Sequence, residues 1–233
     1  SFTASKSLNS IGIGTFQNCP KLTEVDLSNC AITSLLSQSF AGCKSLKTVS
    51  FPNALQSIMA QVFKDCENLS SLVGFENTQL TILGNQALYN TAITVIHFPK
   101  TMTSVDTSDF SGMTIKRLIF QKYGSITNRE FKNLSSLEYI EFKEFNANSI
   151  IQYGGQLRDL TSLKTVILGE GLTSIGNSTF AGCSALNNVK LPDSLTLIDA
   201  SAFASCSALT NIKFGANLET IGNLSFSESG LAE

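Results

Sequence analysis

Six cysteines, one histidine and a thin scatter of charge make up the reactive chemistry of this 233-residue sequence. Cys19, Cys43, Cys66, Cys183 and Cys206 each stand three residues after a phenylalanine. No C-x-x-C pair and no second histidine accompanies them, so a tetrahedral metal site lacks ligands. Equivalent places elsewhere hold Thr91, Met113, Leu134, Leu160 and Ser229. A position that exchanges Cys for Met and Leu is a small buried apolar site, which points to inert core thiols rather than a disulfide framework. Cys30 lies in a connection and reads as a packing residue, with a reactive thiol as the alternative. His97 would have to anchor any Ser-His-Asp or Cys-His site, yet it lies between Ile96 and Phe98 on an alternating stretch and reads as a solvent-facing strand residue. A catalytic reading rests only on His97 falling near Tyr139 and Glu141 in the repeat register described below. Gly12-x-Gly14 lacks the third glycine and the preceding strand of a dinucleotide loop. The residue types therefore predict no catalytic group, no metal and no cofactor.

Composition excludes further classes. Net charge is −2 and Lys and Arg form no cluster, whereas phosphate binding needs a concentrated basic surface, so no nucleic-acid partner is expected. No apolar run is long enough for a membrane-spanning helix, and residues 1–7 contain no apolar leader segment.

The elements that position these residues come from an internal repeat. Phe16, Phe40, Phe63, Leu88, Phe110, Phe131, Leu157, Phe180, Phe203 and Phe226 recur about every 23 residues. The unit reads L-x-x-I-x-x-x-x-F-x-x-C-x-x-L-x-x-V-x-L/F, with its cleanest copies at Leu172–Leu191 and Leu195–Phe214. Each unit closes on an alternating apolar pair such as Val189-Lys190-Leu191, the mark of a half-buried strand. Two residues after the Phe position stand Asn18, Gly42, Asp65, Asn90, Gly112, Asn133, Asp159, Gly182, Ser205 and Glu228. Most tolerate a left-handed backbone, which predicts a short helical turn closed by a left-handed cap. One unit cannot bury its own Leu, Phe and Val, so units stack in register. The sequence predicts an α/β solenoid, residues 1–233 as one domain, with about ten strand-plus-short-helical-turn units in a curved right-handed stack. Repeats start near Leu8, and the last breaks off after Phe226, which suggests a piece of a longer array. The phenylalanine excess reads as a core ladder.

Ser174-Ile175-Gly176 through Phe180, Cys183, Leu186, Val189 and Leu191-Pro192 resembles the BspA-type leucine-rich repeat at every defined position of its pattern. Leu22, Val25, Leu27, Cys30 and Ile32 also match the general leucine-rich hallmark. The resemblance runs from Leu8 to Phe226. It implies an extracellular or cell-surface module without catalysis, secreted or surface-attached. It also implies adhesion to host matrix proteins or to other cells through a protein or glycan ligand.

In such a solenoid the outward strand residues line the concave, partner-binding face. Read along the chain, this row is acidic at Glu24/Asp26 and carries Lys190 and Lys213 at its other end. Its middle holds Val73, Val95, His97, Arg117, Ile119, Tyr139, Glu141 and Ile167. Contiguous outward apolar residues mark interaction sites, and Tyr and Arg are favoured hot-spot types. The competing readings are that β-branched residues simply suit strands, or that an insertion around Asn146–Gln156 folds over them. A structural spacer with no ligand of its own is the alternative function.

Overall fold

The computed structural model describes residues 1–102, 105, 110, 113–125, 131, 133–151 and 156–231. The chain divides into two compact units, Ser1–Ile115 and Lys116–Glu233. In the first unit the strands are β1 (Phe2–Thr3), β2 (Glu24–Asp26), β3 (Ser34–Leu35), β4 (Thr48–Ser50), β5 (Ser57–Ile58), β6 (Ser71–Val73), β7 (Ile82–Leu83) and β8 (Val95–Phe98). In the second they are β9 (Arg117–Phe120), β10 (Tyr139–Ile151), β11 (Thr165–Ile175), β12 (Asn188–Lys190), β13 (Leu197–Ile198) and β14 (Thr220–Ile221).

Most rungs give one strand to a first parallel ladder, and several give a second strand to another. In the first unit these are β1-β2-β4-β6 and β3-β5-β7. Registers follow the repeat: Glu24 faces Thr48 and Thr48 faces Ser71, while Ser34 faces Ser57 and Ser57 faces Ile82. In the second unit β9-β10-β11-β12 form one ladder, and the far ends of β10 and β11 join β13 and β14 in the other. Where a proline follows the first strand, as Pro52 and Pro192 do, the fixed φ and missing N–H separate two short strands. β11 has Gly169-Glu170-Gly171 at that corner and runs on unbroken. A Cβ on Gly169 would lie 2.0 Å from the Lys143 carbonyl oxygen, so this close approach needs glycine. The chain is a β-solenoid of about nine turns rather than ten.

Among the described residues there is almost no helix in place of the expected helical turns: a 3-10 turn at Phe75–Asn77, entered through Gly74 at φ 74°, and a 3-10 residue at Phe110. Around seven of the Phe positions the backbone instead takes the left-handed region twice. Asn18, Gly42, Asp65, Asn90, Asp159, Gly182, Ser205 and Glu228 do so two residues after it, as their types suggested. Gly112 lies outside the described residues. Gly14, Gln38, Gln61, Gln86, Ser178, Ser201 and Leu224 do so two residues before it. The donors explain why. The N–H groups of Gln38, Phe40 and Gly42 donate to Ala60, Val62 and Lys64 on the next rung at 3.2, 3.1 and 2.8 Å. The intervening Ser39, Ala41 and Cys43 donate to carbonyls three residues back. Alternate donors thus leave the segment, and no helix can use them.

The core is the stacked apolar column. Phe40, Phe63, Phe180 and Phe203 are 0% exposed. Phe16 stacks on Phe40 at 5.2 Å and Phe40 on Phe63 at 5.6 Å in the first unit. Phe180 stacks on Phe203 at 5.1 Å and Phe203 on Phe226 at 5.3 Å in the second. A second aromatic line, Phe51, Phe75 and Phe98, meets edge to face at 5.6 and 6.2 Å. Phe214 departs from the expected ladder, being 40% exposed.

Candidate functional site

The thiols are packing groups. All six cysteines are free, and five of them are buried. Cys43 donates its Sγ hydrogen to the Phe16 carbonyl at 3.0 Å, Cys66 to Phe40 at 3.2 Å, Cys183 to Leu157 at 3.1 Å and Cys206 to Phe180 at 3.3 Å. Each weak donor therefore reaches the Phe-position carbonyl one rung back. Burial pushes the Cys183 thiol up to about 12 and the Cys206 thiol up to about 11. Among the described residues no cluster of His, Cys, Asp and Glu could hold a metal ion.

The outward strand residues separate by unit. In the first, Val73 is 50% and Val95 39% exposed, and His97 is exposed between buried Ile96 and Phe98. They line one shallow groove of about 360 Å³, walled by residues 70–76 and 95–97.

In the second unit Arg117, Tyr139 and Thr165 occupy one register column, and Ile119, Glu141 and Ile167 the next. The Arg117 guanidinium carbon lies 4.0 Å from the Tyr139 ring centroid, within cation–π range. Tyr139 donates its hydroxyl hydrogen to Glu141 Oε2 at 2.7 Å. Burial first, and that bond second, push the Tyr139 phenol up to about 12. It therefore stays protonated near neutrality and acts as a fixed donor rather than a base. Below this trio, Glu138 bridges Lys164 at 2.8 Å and Lys116 at 3.7 Å. The bond from Lys164, with its charge, holds the Glu138 carboxyl below its ordinary value. A shallow groove of about 330 Å³ opens among Lys116, Arg117, Glu138, Tyr139, Lys164 and Thr165.

Ile119 corrects the sequence reading. It is 6% exposed, and Leu118 and Phe120 beside it are also buried, so β9 is covered on both faces from Leu118 on, while Arg117 stays exposed. Ile119 is interior and offers nothing to a partner. Ile167 is half-buried and Tyr139 and Glu141 are partly open. The described part of the insertion up to Ile151 is strand. Residues 146–151 lengthen β10, pairing Ser149, Ile150 and Ile151 with Leu172, Ser174 and Ile175. Residues 152–155 lie outside the described residues.

A larger groove of about 740 Å³ crosses four rungs of the second unit, at residues 141–143, 167–170, 188–193 and 213–215. The sequence showed its two lysines at the end of the outward row. An apolar criterion for the site passed over them, although Asn-x-Lys recurs at Asn188–Lys190 and Asn211–Lys213.

A family model described as BspA type leucine-rich repeat region matches in six copies over residues 1–80, 73–154 and 124–233. Among solved structures the chain is similar to a leucine-rich repeat protein from Bacteroides ovatus, at 18% identity and TM-score 0.49 over 97% of this chain and 84% of that one. An internalin from Listeria monocytogenes matches at 16% identity and TM-score 0.48 over 97% and 67% of the two chains. A leucine-rich cell surface protein from Faecalibacterium prausnitzii matches at 20% identity and TM-score 0.37 over 94% and 61%. No curated protein sequence matches the chain.

Proposed function

The chain belongs to the BspA-type leucine-rich-repeat family, and from that premise we propose a non-enzymatic binding module of a cell-surface or secreted protein. Its partner is a protein or glycan of a host matrix or of another cell. The observation that carries this reading is the Arg117–Tyr139–Glu141 arrangement on a parallel ladder. A cation over an aromatic face and a phenol fixed by a carboxylate are a preorganised contact surface. They sit on strands, which hold side chains more rigidly than loops do. Ile167 adds an apolar contact in the neighbouring column. In the first unit Val73, Val95 and His97 offer a second contact surface on the same kind of strand face. Catalysis finds no support in the site, because the phenol is held protonated and its carboxylate partner is occupied by it. No helix among the described residues is long and apolar enough to cross a membrane.

Pull-down against matrix proteins, together with a glycan array, tests the proposal. Capture of a partner that Tyr139→Ala weakens supports it. A chain that captures nothing in either format is instead a structural spacer.

A further inference from the structure

We propose that the four-rung groove of the second unit binds an acidic polysaccharide, a glycan carrying carboxylate or sulfate groups. This inference rests on the reading of the strand face as a binding surface. Lys190 and Lys213 are register neighbours on adjacent rungs, joined by a parallel bridge. Two ammonium groups so placed repel one another, as like charges do on facing strand positions. Neither takes part in an ion pair among the described residues, although Lys44, Lys116, Lys122 and Lys164 all do.

None of the three carboxylates lining the groove forms an ion pair with either lysine, and each is held by hydrogen bonds elsewhere. Glu170 accepts the backbone N–H groups of Asp193 and Ser194, both at 3.0 Å. Asp193 accepts the N–H of Ala216 at 3.2 Å. Glu141 accepts the Tyr139 hydroxyl. The lysine pair is thus a local cationic step with no ion-pair partner among the described residues.

The shape selects a chain-like ligand. The groove runs across the strands, so its occupant meets one rung after another at a spacing of about 4.8 Å. A pyranose ring is about as long as that spacing, whereas side chains on one face of an extended peptide repeat at about twice 3.3 Å. The groove chemistry is that of sugar recognition. Asn188 lines the groove, exposed beside Lys190, and its planar amide donates to and accepts from hydroxyls; Asn211 is exposed near Lys213 outside that lining. Phe214, 40% exposed, lines the same groove and offers an apolar ring face to a sugar ring.

Titration calorimetry of the intact chain tests the proposal with four probes: polygalacturonate, heparin, neutral dextran and poly-glutamate. Binding of polygalacturonate or heparin is expected, the first reporting carboxylate alone and the second sulfate as well. Affinity should fall as salt rises, because the charges are exposed. Lys190→Ala and Lys213→Ala should each weaken binding about tenfold, with unchanged unfolding midpoints, and Phe214→Ala should weaken it too. Dextran should not bind. The inference is overturned if neither acidic glycan binds. It is also overturned if poly-glutamate binds as tightly and Phe214→Ala changes nothing, which would identify an acidic peptide site. Capture of a matrix protein that is lost in Tyr139→Ala, with no glycan binding, would sink this inference and leave the proposed function standing. Binding of neither glycan nor protein would remove both.

Discussion

Arg117 lies over the ring of Tyr139, its guanidinium carbon 4.0 Å from the centroid, while the phenol on the far end of that ring is tied to Glu141. The ring is thus held at both ends by residues from two rungs. An exposed pair of this kind contributes about 0.5–1 kcal/mol, small against the interior packing beneath it. Binding and stability should therefore separate at this site.

Tyr139→Ala is expected to abolish partner capture while lowering unfolding free energy by no more than about 1 kcal/mol. Ile119→Asp, one strand away, should behave oppositely, because it places a carboxylate at a 6% exposed position. An unpaired buried charge costs several kcal/mol, so loss of the folded state is expected by circular dichroism. Equal stability of the two variants would mean that Ile119 faces solvent.

Phe180→Ala should cost about 3–5 kcal/mol, the range for emptying a buried aromatic site. Phe180 is 0% exposed and stacks on Phe203 at 5.1 Å, so the cavity would open between rungs. Chemical denaturation measures this directly. A loss below about 1 kcal/mol would place the ring outside the core.

Much of this was legible in the sequence, and the failures share one cause. The period, the parallel registers, the Phe column and the buried thiols all follow from side-chain type, since burial selects Leu, Phe and Cys. Gly and Asn marked one left-handed position per rung, but Gln38, Gln61, Ser201 and Leu224 occupy the other. None of those types favours that conformation, so the second reversal left no trace and a helical turn was the natural inference. Backbone hydrogen bonds to the next rung impose it, and they carry no residue signature. Ile119 misled in the same way, because alternation along β9 says which side a residue faces but not what covers that side. Lys190 and Lys213 were visible, yet their lack of acidic partners shows only when the neighbouring carboxylates are found engaged elsewhere.

Thiol titration should find six equivalents after denaturation without reductant and little reaction in the native protein. Cys43 is the informative case. The neighbouring Cys66 thiol holds the Cys43 thiol below its ordinary value, yet the residue is 0% exposed. Access and not ionisation then limits its rate, and rapid native labelling of Cys43 would show an opened rung. Fewer than six equivalents would reveal a bridge.

Stability should also fall at alkaline pH. The Cys183 and Cys206 thiols are raised to about 12 and about 11 from an ordinary 9.0. Above pH 9 the unfolded chain releases these protons while the folded one retains them. Their contribution is therefore complete below pH 9 and is lost as pH rises through the folded values. Urea midpoints between pH 8 and 10.5 should decline, and less steeply in Cys183→Ala. Parallel slopes for the two proteins would remove Cys183 from the account.

Leu224 tests the double reversal against the helical turn, because the two predict opposite signs. It sits at φ 57°, two residues before Phe226, and its side chain is 69% exposed. A left-handed conformation costs an ordinary residue about 1–2 kcal/mol, and asparagine less because its short polar side chain bonds locally. Nothing packs on the exposed leucine strongly enough to offset that relief. Leu224→Asn should therefore raise unfolding free energy by about 0.5–1 kcal/mol. In a helical turn the same exchange replaces a good helix former with a poor one and lowers stability by about 0.5 kcal/mol. Gly42→Ala supplies a control, since Gly42 is at φ 72° and an added Cβ would meet Asn18 Oδ1 at 2.1 Å. It should destabilise, because position 42 is left-handed both in the double reversal and as the cap of a helical turn. A loss for asparagine at 224 would restore the helix.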